Sequence, residues 1–255
     1  MTPIVPRVGC VPYLNARPLL EGLPFPVRKL VPAQLYDVFC AGELDVALLS
    51  SIDVISKAQS EVVDGVSISS RGDVFSVVLS YEGELKDITK VALDPASHTS
   101  NALLRIVLEE FHGIVPEYIQ LTDIGNNFIP SLMIGDRAIQ ERIRTSNASV
   151  RYLDLGGEWF RNTGMPFVFA LWKLRNEFTN KSSLSDEIRE SKRRGIAVIP
   201  KIALLEEDPA FAEGYLLNHI RYDLGDEEKR GLALFGDYLQ KLNIANNNIN
   251  RLIYY

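Results

Sequence analysis

The chain has 255 residues, 46% hydrophobic, 24% charged and 9% aromatic, with 27 basic against 33 acidic side chains and a formal net charge of −6. This is soluble globular composition, which excludes disordered, collagen-like and disulfide-scaffold proteins and leaves one large domain or two modest ones, each able to bury a core. An acidic balance with scattered basic residues speaks against nucleic acid or an anionic membrane surface as partner, so an anionic ligand has to be met locally.

In chain order, the opening MTPIVPRVGC has no basic region before a long apolar stretch, and no window approaches the roughly 20 apolar residues of a membrane span. The expected location is the cytoplasm. Short β-type runs then alternate with helical periodicity: RVGCV (7–11) precedes LNARPLLEGL, VRKLVPA precedes QLYDVFCAGELD, and VALLSS precedes IDVISKA. This βαβα succession predicts an α/β fold with parallel strands covered by helices. Cys10 and Cys40 fall in these segments without metal-type spacing and predict two buried, reduced thiols.

A second series follows the β-type run VFSVVLSYEGEL (74–85). KVALD (90–94) reads as a strand and TSNALLRIVLEEFHG as a helix whose Leu103, Leu104, Val107, Leu108 and Phe111 form one stripe, with Gly113 as its stop. YIQL, SLMIG and RYLDL are strand candidates, and PFVFALWKL (166–174) is a second strong β run. Beyond about residue 182 the pattern is helical, with Asp208 and Pro209 marking one helix start and Asp226 predicted to cap the last. Two α/β series without a linker predict lobes joined by crossing strands, 74–82 and 166–174, around a ligand cleft. The expected division is residues 1–81 with 166–255 in one lobe and 82–165 in the other.

Nucleotide, zinc and triad signatures such as GxGxxG, GxxxxGK[ST], HExxH, GxSxG and paired CxxC are absent from the sequence, and the three histidines are scattered, so neither a metal site nor a cofactor is expected. The candidate site is built from neutral groups at strand ends, where open α/β sheets bind ligands. Tyr13, Leu14 and Asn15 emerge at the first strand-to-helix junction. Asn15 offers two donors and an acceptor without charge, or else serves as a helix cap. Ser97, His98, Thr99, Ser100 and Asn101 open the long helix, and several hydroxyls at a helix N-terminus exceed what capping needs and suit an anion. Ser50 and Ser51 end the third strand, Ser76 lies on a crossing segment, and Gly135 and Asp136 close another strand. Arg17 is read as an exposed helix position, His98 as an exposed loop residue, and Asp136 as the cap of RAIQERI.

Taken in order, VPYLNARPL, LDPASHTSNALL, MIGDRAI, YLDLGGEW and TGMPFVFALW resemble the chorismate dehydratase (MqnA) family of the futalosine route to menaquinone, over nearly the whole chain. The sister enzyme MqnD shares that fold but has an N-terminal Cys-Pro-Asn-Asp character that YLNARPL lacks. The resemblance implies a two-lobed fold of the type II periplasmic-binding-protein kind and loss of water from chorismate, a dianion, to give 3-[(1-carboxyvinyl)oxy]benzoate without cofactor. It implies that Asn15 holds substrate near the leaving hydroxyl and that Ser97, Thr99 and Ser100 bind a carboxylate, with Ser50, Ser51 and Ser76 as further contacts; Tyr13, Asn101 and Gly135 are expected as contacts from their places at the strand ends and the helix start. It also implies that the substrate's enolpyruvyl carboxylate acts as the base. A binding protein of the same fold is the alternative from another class.

Overall fold

Apolar runs of three to five residues separated by helical stretches produce two layered units in the computed structural model, which describes residues 5–120, 128–144 and 149–255. The first unit begins with β1 (Val8–Cys10), a 3₁₀ helix over Leu14–Leu20, β2 (Val27–Lys29), α1 (Pro32–Cys40), β3 (Val46–Ser50), α2 (Ser51–Ile55) and β4 (Ser60–Ser70). Pro18 sits inside the 3₁₀ helix; it has no N–H for an α-helical bond, which favours the tighter, short turn. The second unit carries β5 (Val77–Glu82), β6 (Lys90–Leu93), α3 (His98–Ile106), β7 (Glu117–Gln120), β8 (Ser131–Ile134), α4 (Gly135–Arg144), β9 (Val150–Asp154) and α5 (Leu155–Thr163). The last residue of the YIQL run, Leu121, lies outside the described residues. The chain then returns through β10 (Phe167–Leu174) to α6 (Lys181–Ala197), α7 (Ile199–Ala203), α8 (Pro209–Gly214), α9 (Asp226–Lys241) and β11 (Leu252–Tyr254).

The strands form a six-stranded sheet ordered β11-β4-β10-β3-β1-β2 and a five-stranded sheet ordered β7-β6-β8-β5-β9. Pairs joined by a helical crossover are parallel, as predicted for β1 with β2 and β3 and for β6 with β7 and β8. The sheets are nevertheless mixed: β10 runs antiparallel to β3 and β4, and β5 antiparallel to β8 and β9. Each of these strands enters its sheet from the other unit rather than through a covering helix, which reverses its direction. The connections between sheets are 71–76 and 164–166, and β5 belongs wholly to the five-stranded sheet, so 77–81 share a sheet with strands of 82–165.

Other expectations are corrected locally. The longest strand, β4, and the edge strand β11, which pairs in parallel with it, have no counterpart in the sequence-based element order. Cys10 is a buried thiol, but Cys40 is exposed, since it ends α1 on that helix's outer side. Asp226 lies in the first turn of α9 rather than at its cap: Gly225 takes the cap, and its N–H donates to Glu228 Oε2 at 3.0 Å. Asp208 caps α8 as expected, accepting from the Phe211 amide at 3.0 Å. The stripe of α3 is buried through Leu108, its last turn relaxes into a π turn over Val107–Phe111, and Gly113 ends it at φ 67°.

The two units share a core. Trp159 of α5, fully buried, packs edge-on against Phe167 of β10 at 5.2 Å, and Phe167 meets Phe235 of α9 at 5.0 Å. Such pairs add about 0.5–1.5 kcal/mol each beyond their buried area. They hold the two units together beside the cleft, which Phe169, 4.7 Å from Phe167, lines.

Candidate active site

Tyr13, Asn15, Ser50, Ser76, Ser97, Thr99, Ser100 and Gly135 all line one cleft. These residues come from both units and from segments up to 122 positions apart. The other predicted contacts lie elsewhere. Ser51 is turned inward at the start of α2, its hydroxyl donating to the Val168 carbonyl at 2.6 Å. Asn101 folds back on its own loop, accepting from the Asp94 amide at 3.1 Å and donating to the Asp94 carbonyl at 2.8 Å. Both amide functions of Asn101 are thereby spent within the β6–α3 turn.

Apolar residues that the sequence did not single out complete the walls: Leu48, Ile68, Val74, Val77, Ile134 and Phe169. Phe169 sits at a bulge in β10 between Val168 and Ala170, its ring 4.7 Å from that of Phe167. Strand alternation within PFVFALW does not single out Phe169, because the bulge interrupts it there.

The polar ends are arranged by capping. Ser97 caps α3, its Oγ accepting the Ser100 amide at 3.2 Å and lying 2.8 Å from the Ser100 hydroxyl. The first amides of α3, those of His98 and Thr99, have no intrahelical carbonyl to meet. Thr99 Oγ1 accepts the Ile52 amide at 3.1 Å, which joins α3 to α2 across the cleft and leaves the hydroxyl hydrogen free to donate elsewhere. Ser50 sits at the cap position of α2 without a capping bond and faces the cleft.

Asn15 is not a cap: that place belongs to Tyr13, and Asn15 Oδ1 is buried with no protein partner. Tyr13 lies on Gly135, where an added Cβ would stand 2.8 Å from the ring and the backbone is left-handed at φ 62°. Only glycine satisfies both requirements there. Asp136 does not cap α4 but reaches across the junction, accepting the Leu14 amide at 3.0 Å. Arg17, half-buried, pairs with Glu206.

No aspartate, glutamate, histidine, lysine or arginine is among the described residues lining the cleft. Its one titratable lining group is Tyr13, whose hydroxyl is pushed up to about 12 by burial, with the Asp94 and Asp136 carboxylates adding to the effect. At neutral pH the described residues of the site therefore present neutral donors and an unpaired acceptor, and no carboxylate, imidazole or amine base.

His98 opens α3 rather than lying in a loop, and its Nδ1 is 3.0 Å from Asp53 of α2. The hydrogen bond to Asp53 raises its pKa above the ordinary 6.5, against the opposing effect of burial. A raised value in the folded state means that this pair stabilises fully below the unfolded histidine's pKa and that the contribution is lost as pH rises through the folded one. Stability measured by denaturant melts should fall across that window, less steeply at high salt because the side chain is 42% exposed. His98→Gln should remove this component of the slope; an unchanged slope in the variant would assign it to other groups.

The architecture, two mixed sheets with a cleft lined from both, defines a two-lobed binding-protein-like α/β fold. The alkanesulfonate-binding protein SsuA from Xanthomonas axonopodis pv. citri, solved bound to MOPS, superposes with TM-score 0.66 over 100% of both chains at 12% identity, a likeness of fold alone. The family model described as menaquinone biosynthesis matches residues 6–241, and the chain belongs to that family. It is 32% identical to chorismate dehydratase of Thermus thermophilus over 91% of this chain and 94% of the relative. It is 26% identical to chorismate dehydratase of Campylobacter jejuni over 93% and 99% respectively.

Proposed function

We propose that this chain is a chorismate dehydratase, a carbon–oxygen hydro-lyase that converts chorismate to 3-[(1-carboxyvinyl)oxy]benzoate and water in menaquinone biosynthesis. Family membership and the two dehydratase relatives support the activity. The observation that carries the mechanism is the cleft's composition: hydroxyls, an amide and apolar walls, with no protein carboxylate, histidine or lysine among the described residues that line it.

The C3 proton of chorismate is acidic through conjugation to the ring carboxylate, and departure of the C4 hydroxyl leaves an aromatic ring. The substrate supplies the driving force, so the protein has to orient it and stabilise charge developing on the ring carboxylate. The free amides at the start of α3 and the Thr99 and Ser100 hydroxyls suit that carboxylate. Asn15 Oδ1, an acceptor without a protein partner, suits the hydrogen of the C4 hydroxyl. Tyr13, Ser50 and Ser76 are assigned as further contacts, and the ring fits between Phe169 and the aliphatic wall. The C3 proton passes to the substrate's enolpyruvyl carboxylate, the C4–O bond breaks, and the proton leaves with hydroxide as water.

The lobes, which we take to meet at 71–76 and 164–166, close on the substrate through the Thr99–Ile52 and Asp136–Leu14 bonds. We place the reaction in the cytoplasm, a reading that the free thiols of Cys10 and Cys40 support. Among the described residues no helix is long and apolar enough to cross a membrane.

Incubation of the purified protein with chorismate should yield the carboxyvinyloxy benzoate catalytically, followed by chromatography; saturable binding of chorismate without product would instead support a binding protein. Thr99→Val should raise KM about tenfold or more, as expected for a charge-assisted hydrogen bond of about 1.5–3 kcal/mol, because the donor is lost and the Ile52 amide loses its acceptor. Unchanged kinetics would remove Thr99 from the carboxylate site.

A further inference from the structure

Val74 and Ser76 line the cleft, whereas Phe75 between them packs against Arg142, Phe211 and His219. Residues 74–76 lie in the segment that joins the two sheets and form a turn of their own. The Ser76 amide donates to the Val74 carbonyl at 2.8 Å, and Phe75 at the centre has φ 65°. A three-residue turn closed in this way with a positive φ at its centre is the rare, strained form of the γ-turn, and phenylalanine favours the mirror-image form at negative φ. The strained form persists only where its surroundings over-determine it.

Here every group of Phe75 is held. Asp154 accepts the Val74 amide at 2.9 Å and the Phe75 amide at 2.8 Å. Arg142 of α4 donates through Nη1 to the Phe75 carbonyl at 3.0 Å and to Asp154 Oδ2 at 3.2 Å, and its guanidinium carbon stands 3.8 Å from the centre of the Phe75 ring. Phe211 and His219, at ring separations of 5.1 and 5.7 Å, bring the first unit against the same ring. Arg142 alone among these partners meets ring, carbonyl and the Asp154 carboxylate together. Its helix grips the segment at a second point: Gly135, about two turns earlier on α4 and itself a cleft residue, donates its amide to the Ser76 carbonyl at 2.8 Å. With its carbonyl held from α4 and its Oγ 2.8 Å from the buried Tyr215 hydroxyl, Ser76 keeps its place in the cleft only while Phe75 keeps its positive φ.

We propose that Arg142 is a positioning residue for the dehydration: it holds Phe75 in the strained turn and thereby sets where Val74 and Ser76 meet the substrate. Relaxation of Phe75 to negative φ would redirect the chain ahead of β5 and carry the Ser76 hydroxyl off the cleft wall. This rests on the activity proposed above and adds to it a residue outside the cleft lining.

The experiment is steady-state kinetics on chorismate for wild type, Arg142→Met, Phe75→Gly and the double variant, with thermal melts of each. Arg142→Met should stay folded, lower kcat about tenfold or more and change KM less than about threefold, because a misplaced polar group costs most as the bond breaks. In the Phe75→Gly background the same substitution should lower kcat less than about threefold, since glycine takes a positive φ without support and the stacked ring is gone. A role confined to neutralising Asp154, which both backgrounds keep, would give equal losses and overturn the proposal, as would a folded Arg142→Met protein with wild-type kcat. If Arg142→Met does not fold, Arg142→Lys, which keeps a cation near Asp154 but not the planar group on the ring, is held to the same double-variant criterion. A crystal structure of the folded variant reads the turn without turnover: Phe75 at negative φ with Ser76 displaced is expected, and Phe75 at positive φ with Ser76 in place would overturn the positioning role. If wild type produces no benzoate product, the proposed activity fails while that structure still decides the turn.

Discussion

Asn15→Ala should lower kcat on chorismate by about 10²-fold or more, the scale of loss when a group that orients the leaving hydroxyl is removed. Unusually for a partly buried polar residue, the loss should come with little or no cost in stability. Asn15 Oδ1 has no protein partner, so its removal leaves no protein donor unsatisfied and relieves an orphaned acceptor. The expected pattern is a melting temperature at or slightly above wild type together with near-complete loss of turnover. A variant that retains wild-type kcat would show that Asn15 does not act on the leaving hydroxyl.

The largest effect on stability is expected at Asp154, a residue outside the cleft. Its carboxylate, 6% exposed at the end of β9, accepts the Val74 amide at 2.9 Å and the Phe75 amide at 2.8 Å. It also caps α5 through the Gly157 amide at 3.1 Å and meets Arg142 at 3.2 Å. Phe75 is held at φ 65°, a left-handed conformation that is strained for a phenylalanine, and Ser76 follows it directly. Asp154→Ala would therefore strand buried amides and a cation while releasing the strained turn, at about 3–5 kcal/mol in denaturant melts. The kcat/KM of the folded fraction should fall as well, because Ser76 loses its support. A cost below about 1 kcal/mol would mean that the connection is held by other contacts.

What was legible in the sequence was local chemistry. Ser97 at the start of α3, Gly113 beyond its end, and Asp208 with Pro209 at α8 each follow from capping and backbone preference over a few residues. Strand β4 was not legible because serines interrupt its apolar pattern: Ser60, Ser67, Ser69 and Ser70 are all buried, each hydroxyl donating to a backbone carbonyl. In sequence they look like loop residues. Strand β11 owes its existence to pairing with β4, a partner some 190 residues away, and carries little pattern of its own.

The site divides in the same way. Residues at strand ends and at the helix N-terminus gather in the cleft, as the general rule for α/β sheets predicts. The bonds that set their roles join distant segments: Asp136 with Leu14, Thr99 with Ile52, His98 with Asp53 and Tyr215 with Ser76. No periodicity encodes those partnerships. Asp136 and Asn101 show the consequence, since a helix-opening aspartate and a turn asparagine look alike in sequence, whereas one bridges the units and the other closes its own loop.

The most direct measurement is a crystal structure of the Asn15→Ala protein soaked with chorismate, a variant expected to bind substrate without consuming it. The account predicts the ring between Phe169 and the aliphatic wall, one carboxylate on the Thr99 and Ser100 hydroxyls at the start of α3, and the C4 hydroxyl at the place of the removed Asn15 amide. Chorismate bound outside this cleft, or a protein carboxylate or histidine within hydrogen-bond reach of C3, would contradict it.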